Sequence, residues 1–297
     1  MYTVEVKDVS AGYRYKVIVK DVNLSLRGTG VFTVIGPNGS GKTTLLRVVA
    51  GVLKPYKGDV LINNVSIYRD NEVKKIIGYM PADIGLLPKL TLYENLRLFA
   101  ELLGYSRDYL ENRLEVLKKY IPVDDILYMK AGTMSTGQKV RAGLIRALIH
   151  DPKVLILDEP TRGLDAVFAK HVRALIQELA RDRLVIMTTH LLHEVLELNS
   201  YVVVLRCGEL VFKGNIGEFR RLLADKPVTL YVRTTTDVDE ILKNLGIKFT
   251  KRALGDYIIR LPNLSTMPTL LRELSVSTNI VELREDLDEL VKALYGG

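Results

Sequence analysis

The chain has 297 residues, of which 47% are hydrophobic and 26% are charged, as expected for a soluble globular protein of one large or two modest domains. No apolar run approaches the roughly 18 residues of a membrane-spanning helix, and we expect no secretory signal because MYTVEVKDVS lacks a basic start and an apolar core. The single cysteine, Cys207, excludes an internal disulfide framework and fits a reducing compartment.

The net charge of +7 comes from 42 basic and 35 acidic residues. From Ile216 onward the chain has 12 residues of each sign, so the whole excess lies before that point. There it is scattered, without the dense basic run or interleaved aromatic residues that favour nucleic-acid binding. A solvated surface, or one that faces nucleotide phosphates, accounts for this charge, and we do not expect a nucleic acid as a partner.

The first informative segment is a predicted strand, loop and helix between residues 31 and 53. VFTVIG is a short β-branched run typical of a buried strand, and TTLLRVVAGVL has the apolar spacing of a helix that stops before Lys54-Pro55. The loop between them fits G-x-x-x-x-G-K-[ST], which binds phosphate when a strand and a helix flank it in this way. Its residues are Gly36, Pro37, Asn38, Gly39, Ser40, Gly41, Lys42, Thr43 and Thr44.

Each part of this loop has a predicted role in holding a nucleotide. Gly36, Gly39 and Gly41 let the backbone curl so that successive N–H groups point at phosphate oxygens. The helix that follows presents its positive end to the same charges. Lys42 would reach the β- and γ-phosphates, and the hydroxyl of Thr43 would ligate Mg²⁺. We therefore predict a nucleotide-binding loop, with ATP as the nucleotide.

Two further predicted strands end on residues suited to phosphate chemistry. The apolar residues 154–157 lead directly into Asp158 and Glu159, at the strand end where the ligands of a parallel sheet gather. Asp158 would hold Mg²⁺ through its water shell, and Glu159 would polarise the attacking water. The strand LVIMTTH ends at His190, whose imidazole either contacts the γ-phosphate and orients that water or has only a structural role.

Ahead of the acid pair lies MSTGQKVRAGLIRALIHDP, a helix start with Ser135 as a possible N-cap. In this position, Met134–Gln138 resembles the signature sequence of the ABC-type ATPases. The resemblance covers residues 1–224. The other matching features, in chain order, are the aromatic Tyr13, the phosphate loop Gly36–Thr44, the strand that ends at Asp158-Glu159, the turn Gly163-Leu164-Asp165, and His190.

The resemblance implies an α/β P-loop ATPase of the ABC type with a helical subdomain, which hydrolyses ATP with Mg²⁺. Members of the family pair two such domains head to tail and bury two ATP molecules between them. The signature helix would present its positive N-terminus to the γ-phosphate held by the partner's loop. Tyr13, or alternatively Tyr15, would stack on the adenine, while Leu164 and Asp165 would couple the two sites. The implied ATP contacts outside the loop are Tyr13, Ser135, Gly137, Gln138 and Asp165.

The sequence departs from the family pattern in two places. The signature, usually LSGGQ, reads MSTGQ here, which puts the β-branched Thr136 where Gly is common but keeps Ser135 and Gly137. In GYMPADIGLL the family often has Gln after the Pro, where its amide reaches Mg²⁺ and senses the membrane partner. This chain has Ala82 there, followed by Asp83. Ala82 cannot ligate an ion, so either water or Asp83 takes the place of the amide.

After residue 224 the pattern changes to that of a small α+β unit. VTLYVRT, IKFTKRA, DYIIRLP and IVELRE read as strands, and DVDEILKNLG, TMPTLLRELSV and DLDELVKALYGG read as helices. The order βαββαβ plus a helix predicts a ferredoxin-like domain over residues 225–297, beside an ABC ATPase domain over residues 1–224. No ligand cluster stands out in it, so we expect it to pack against the ATPase domain or to dimerise it.

Together these features predict the ATP-hydrolysing subunit of an ABC membrane transporter, and the resemblance is to the exporter branch. The expected partners are a separate transmembrane permease subunit, docked on residues 81–105, and a second ATPase subunit, identical or paralogous, in a head-to-tail dimer. The chain would be a peripheral protein at the cytoplasmic face of the cell membrane.

The alternative is a soluble ABC ATPase. A DNA-repair or chromosome ATPase needs a long heptad insertion, which the sequence lacks. A translation or ribosome factor normally carries two phosphate loops, and this sequence has one. An iron–sulfur assembly scaffold would lack the C-terminal domain.

Overall fold

The computed structural model describes residues 2–224 and 226–285, which form three β-sheets and the helices that cover them. The strands are β1 (Thr3–Tyr13), β2 (Lys16–Arg27), β3 (Gly30–Ile35), β4 (Lys57–Ile62), β5 (Val65–Ser66), β6 (Ile77–Met80), β7 (Val154–Asp158), β8 (Leu184–Thr189), β9 (Tyr201–Arg206), β10 (Glu209–Gly214), β11 (Val228–Thr234), β12 (Lys248–Ala253), β13 (Asp256–Leu261) and β14 (Ile280–Glu285). The α-helices are α1 (Lys42–Val49), α2 (Leu92–Leu102), α3 (Arg107–Lys118), α4 (Thr136–Leu148), α5 (Ala166–Leu179), α6 (Leu192–Leu198), α7 (Ile216–Leu223), α8 (Asp239–Asn244) and α9 (Met267–Ser277).

A six-stranded sheet positions the predicted site. Its order is β10-β9-β3-β8-β7-β6, with parallel pairs from β9 to β6 and an antiparallel pair between β9 and β10. Every residue of β7 and β8 is buried, as expected for parallel strands covered on both faces. Because these strands are parallel, their carboxyl ends meet at one edge of the sheet, which therefore carries the phosphate loop, Asp158 and His190.

An antiparallel sheet of order β2-β1-β4-β5 covers one side of this parallel sheet together with α1. Alternate residues of β1 and β2 point into the shared core, which is the period-2 pattern of a half-buried sheet. The same core includes side chains of β3 and β7. Its members include Val4, Val6, Leu24, Leu26, Phe32, Val34, Leu45, Leu46, Ile62 and Ile156.

The other side of the parallel sheet is covered by helices, among them α2, α3 and α4. Helix α4 carries the signature residues at its start and approaches the loop after β6 very closely. A Cβ on Gly143 would lie 2.7 Å from Ile84 Cγ2, so glycine is required for this packing. The predicted α/β fold with a helical part is thereby confirmed.

Asp151 ties this helical part to the parallel sheet. Its carboxylate contacts Arg113 Nη2 of α3 at 2.6 Å, Arg183 Nη2 at 2.9 Å and Lys153 Nζ at 2.9 Å. Burial alone would raise the pKa of Asp151, but the hydrogen bonds from Lys153 and Arg183 and the charge of Arg113 outweigh it and hold the pKa at about 2. The carboxylate is therefore ionised throughout the physiological range and joins α3 to the segments before β7 and β8.

The third sheet is antiparallel, with the order β12-β13-β11-β14. Helices α8 and α9 connect its strands in the sequence order βαββαβ, which is compatible with the predicted ferredoxin-like unit. The predicted closing helix DLDELVKALYGG lies outside the described residues. The predicted domain boundary between residues 224 and 225 stays a prediction.

This third sheet shares a hydrophobic core with the parallel sheet. One cluster contains Val202 and Val204 of β9, Phe219 and Leu223 of α7, and residues of β11, β13 and α9. Phe219 is fully buried, and its ring centroid lies 5.4 Å from that of Phe212. Helix α7, which precedes the predicted boundary, therefore joins the two units by apolar packing.

We expect Phe219→Ala to destabilise the whole chain by about 3–5 kcal/mol, because it removes a fully buried aromatic ring and leaves a cavity in the joining core. Denaturant unfolding followed by circular dichroism would measure this loss. Tyr120→Ala, a change at an exposed aromatic residue, is the matched control and should shift the free energy of unfolding by no more than about 0.5 kcal/mol. A loss at Phe219 no larger than that of the control would show that α7 does not join the two units.

Candidate active site

The predicted loop and catalytic residues meet at the carboxyl edge of the parallel sheet. The phosphate loop follows β3, Asp158 ends β7, Glu159 comes next, and His190 follows β8. The strand register places Asp158 beside Thr188 and Ile35 beside Thr189. Side chains far apart in the sequence are thus brought to adjacent strand ends by backbone pairing alone.

The phosphate loop has the backbone geometry that its glycines permit. Gly39 and Gly41 have φ values of +79° and +103°, in the left-handed region. A Cβ on Gly36 would lie 2.2 Å from the carbonyl oxygen of Leu205 in β9. In addition, the amide of Gly208 donates to the carbonyl of Ser40 at 3.0 Å. The loop is therefore fixed against its neighbours at both ends.

Lys42 lies on the inner side of this loop. Its Nζ donates to the carbonyls of Gly36 at 2.7 Å and Pro37 at 2.9 Å, and the residue is buried. Helix α1 starts at Lys42 with no side-chain cap on Gly41 and no acidic residue in its first turn. The N–H groups and the positive end of α1 are therefore directed at the loop, where they suit an anion.

Asp158 is fully buried and held by two hydroxyl groups. Its Oδ1 accepts from Thr188 Oγ1 at 2.6 Å and from Thr43 Oγ1 at 3.2 Å, whereas its Oδ2 has no hydrogen-bond partner among the described residues. A buried carboxylate oxygen of this kind, beside a threonine hydroxyl, fits the oxygen ligands that Mg²⁺ prefers. The described residues contain no group of three or more His, Cys, Asp or Glu side chains that could hold a metal.

Glu159 is held in a strained position beside His190. Its φ is +51°, a conformation that costs a non-glycine residue on the order of 1–3 kcal/mol and is common at active sites. The amide of Glu159 donates to Thr188 Oγ1 at 2.8 Å. His190 Nδ1 lies 3.5 Å from Glu159 Oε1, at the outer limit of hydrogen bonding. Arg162 Nη1 lies 3.2 Å from the other oxygen of the carboxylate, Glu159 Oε2.

The pKa of the Glu159 carboxyl lies below its usual value. The contact with His190 is the largest cause and outweighs the opposite effect of burial, and the charges of Arg162 and Lys42 act in the same direction as His190. Glu159 is therefore ionised at neutral pH. An ionised carboxylate next to the phosphate loop can orient a water molecule and accept its proton.

Of the two candidate adenine-stacking residues, Tyr13 is the one held against the phosphate-loop helix. Arg47 Nη1 of α1 donates to Tyr13 Oη at 3.0 Å. Tyr15 is fully exposed, in the turn where Arg14 and Tyr15 both have positive φ, as in a two-residue hairpin turn. Tyr13 as an ATP contact stays a prediction, but its position favours it over Tyr15.

The signature residues form a separate surface. Ser135 Oγ accepts from the amide of Gln138 at 3.3 Å, and Gln138 Oε1 accepts from the amide of Ser135 at 2.9 Å, which is a capping box at the start of α4. Asp165 Oδ1 accepts from the amide of Phe168 at 2.8 Å and so caps α5. A shallow depression is lined by Ser135, Gly137, Gln138, Asp165 and Phe168, among others.

This depression lies between two helix N-termini, which supply positive potential for an anion. None of the phosphate-loop residues lines it. Within one copy of the chain, the structure therefore does not bring the predicted signature contacts to the predicted ATP loop. Thr136 is exposed beside this depression. Its methyl group lies next to Gly163, where an added Cβ would be 3.4 Å from Thr136 Cγ2.

Sequence reasoning missed Thr188, which binds both acidic residues, and Arg47, which holds Tyr13. Thr188 sits inside LVIMTTH, where a β-branched residue reads as ordinary strand core. Its nearness to His190 was the only available signal. Ala82 and Asp83 are both exposed on the loop after β6, and a role for Asp83 in place of the family's Gln stays a prediction.

The chain is similar to known proteins of one family. A family model described as ABC transporter matches residues 19–162. The ABC transporter ATP-binding protein NatA of Bacillus subtilis is 34% identical over 199 residues, which are 66% of this chain and 81% of that protein. The molybdate/tungstate import ATP-binding protein WtpC of Pyrococcus abyssi is 29% identical over 82% of this chain and 73% of that protein.

A solved structure is also similar to this chain. It is a dimeric post-hydrolysis state of the ATP-binding cassette MJ0796 bound to ADP and Pi, and it is 28% identical, with a TM-score of 0.65 over 72% of this chain and 98% of that one. The chain belongs to the ABC transporter family, as one of its ATP-binding, ATP-hydrolysing subunits.

Proposed function

We propose that ATP is hydrolysed at the carboxyl edge of the parallel sheet with Glu159 as general base, and that the cycle drives a separate membrane-spanning subunit. The observation that carries this proposal is the pair of contacts made by Thr188, which fixes Asp158 and Glu159 together beside Thr43. Glu159 is ionised and lies against His190. In this proposal, His190 orients both Glu159 and the attacking water.

The phosphates are bound by groups of the loop and of α1. The inward N–H groups and Lys42 neutralise the phosphate chain, and Tyr13, held by Arg47, stacks on the adenine. Thr43 and Asp158 are the residues that would hold Mg²⁺. When bound, that ion neutralises charge on the phosphate oxygens. Glu159 then takes the proton of the attacking water.

The signature surface completes the site from a second subunit. Ser135, Gly137, Gln138 and Asp165 lie in the depression at the starts of α4 and α5, away from the chain's own loop. A head-to-tail dimer would place these two helix N-termini against the γ-phosphate held by the partner's loop. Support comes from the dimeric state of the similar cassette MJ0796. The second subunit is either another copy or a paralogue.

The membrane partner docks on the exposed face of α2. One face of this helix buries Leu92, Leu96 and Ala100 in the core, whereas Leu98 and Leu102 stay exposed on the other face. Leu102 has 76% of its surface exposed. Two leucines at i and i+4 form a compact apolar patch. This patch lies in the segment 81–105, on which the sequence analysis predicts that the permease docks. None of the helices in the described part of the chain has the length and apolarity to cross a bilayer.

We further propose export as the direction of transport and the cytoplasmic face of the cell membrane as the location. The support is the resemblance of the chain, including its C-terminal α+β unit, to the exporter branch. On this view residues 1–224 form the ATPase domain and residues 225–297 an accessory domain. Tagged protein purified in mild detergent and analysed by mass spectrometry should yield a polytopic membrane protein in near-equal amount, and ribosomal or DNA-bound partners in its place would contradict the proposal.

We expect Glu159→Gln to lower the ATPase rate by about 100-fold or more, because the amide cannot accept a proton from water. ATP binding should persist and the protein should accumulate as a dimer, which light scattering would detect. Glu178→Gln, the same change at an exposed position of α5, should turn over ATP like the wild type. A Glu159→Gln protein that hydrolyses ATP normally would remove Glu159 from the role of base.

Thr43→Val should raise the Mg²⁺ concentration that gives half-maximal ATPase activity by about 10-fold or more. Loss of an outer-shell partner alone lowers metal affinity by about 10-fold. The substitution keeps the size of the side chain and removes the hydroxyl that lies next to Asp158. Titration of ATPase activity with Mg²⁺ is the measurement. Thr250→Val, at an exposed position of β12, is the control, and an equal Mg²⁺ requirement in the two variants would refute the assignment of Thr43.

The double substitution Leu98→Ser/Leu102→Ser should abolish co-purification of the membrane subunit, because it removes the apolar patch of α2 without touching its buried face. The isolated double variant should still bind ATP. Val276→Ser changes a residue of α9 that is about as exposed as Leu102 and should leave co-purification intact. If the α2 variant still recovers the membrane subunit, the docking face lies elsewhere.

A further inference from the structure

The backbone on both sides of His190 is tied to α6 by one buried hydroxyl. Thr189 is the last residue of β8, and its Oγ1 donates to Glu194 Oε2 at 2.6 Å. The same oxygen accepts from the amide of Leu191 at 3.0 Å. Thr189 and Glu194 are both buried. The two hydrogen bonds therefore bracket His190 and fix the turn from which its side chain extends.

Glu194 is in turn held by Arg173 of α5. Arg173 Nη1 donates to Glu194 Oε1 at 3.1 Å. Arg173 Nε forms an ion pair with Glu197 Oε2 at 2.8 Å, but the two atoms are not aligned for a hydrogen bond. Arg173 is itself buried. Helix α5 begins at the cap made by Asp165. One chain of polar contacts therefore runs from α5 through Glu194 and Thr189 to the turn that carries His190.

Fold stability alone does not account for this pair. Desolvation of two buried charges offsets most of their attraction, so a well-packed apolar pair of similar size is often as stable. The two hydrogen bonds that Glu194 accepts, from Thr189 and from Arg173, instead favour one geometry of the turn. The imidazole needs such support, because the His190 side chain is 34% exposed and is only partly confined by packing.

We propose that Glu194, held by Arg173, is a positioning residue for His190. Acting through the hydroxyl of Thr189, it sets the backbone turn and with it the approach of His190 Nδ1 to Glu159. This inference rests on the proposed role of His190. It adds to that role a buried network in α5 and α6 on which the catalytic geometry depends.

Three single substitutions test the hydroxyl. Thr189→Val keeps the volume and removes the hydrogen bonds, and it should lower kcat for MgATP by about 10- to 100-fold, as misplacement of a reacting group does, with KM unchanged. Thr189→Ser restores the hydroxyl and should restore kcat. Thr33→Val is the matched control, because Thr33 is a buried strand threonine whose Oγ1 has no hydrogen-bond partner among the described residues, and its kcat should equal that of the wild type.

The double variant Arg173→Met/Glu194→Leu separates positioning from stability. Because both charges are removed together, the protein should stay folded, with a thermal midpoint close to that of the wild type. Its kcat should nevertheless fall as in Thr189→Val, with KM unchanged. A folded double variant, or a Thr189→Val protein, with the kcat of the wild type would overturn the proposal.

His190→Ala distinguishes failure of this inference from failure of the function on which it rests. Loss of kcat in His190→Ala together with normal kcat in Thr189→Val would refute only the positioning role of Glu194. Normal kcat in His190→Ala would refute the proposed role of His190 and the positioning role with it. Loss in both, with rescue by Thr189→Ser, is the expected result.

Discussion

The hydroxyl of Thr188 is the interaction on which the geometry of the site depends. It donates to the buried carboxylate of Asp158 and accepts from the amide of Glu159, so it fixes the relative position of two acidic residues for which we propose different roles. Thr188 can do this because β7 and β8 pair in parallel, with Asp158 and Thr188 in register. The pairing of β7 with β8 therefore preorganises the proposed site, because it fixes the Asp158 carboxylate relative to the backbone of Glu159.

The residues of the proposed site form two groups on different surfaces. One group, the phosphate loop with Asp158 and Glu159, lies at the ends of β3 and β7. The other, at the starts of α4 and α5, is a pair of capped helix N-termini whose positive ends face a common depression. In the proposed head-to-tail dimer, each chain would therefore contribute two complementary half-sites on different surfaces.

Much of the site could be predicted from the sequence, because Asp158, Glu159 and His190 each follow an apolar run whose end marks a strand end. Thr188 could not, since a threonine within LVIMTTH satisfies strand propensity as valine would, and its partner comes from another strand. Glu194 and Arg173 were equally hidden, because a charged residue in a helix is normally solvated and only tertiary packing buries this pair. The strand order of the third sheet also depends on pairing that no local pattern specifies.

The core shared by α7, β9 and the third sheet affects how this chain can diversify. Val202, Val204 and Phe219 face side chains of β11, β13 and α9, so the C-terminal unit covers apolar surface that would otherwise meet water. It is therefore not a detachable module. Exchange of the C-terminal unit for that of a relative would require matched changes in β9 and α7, whose side chains share its core.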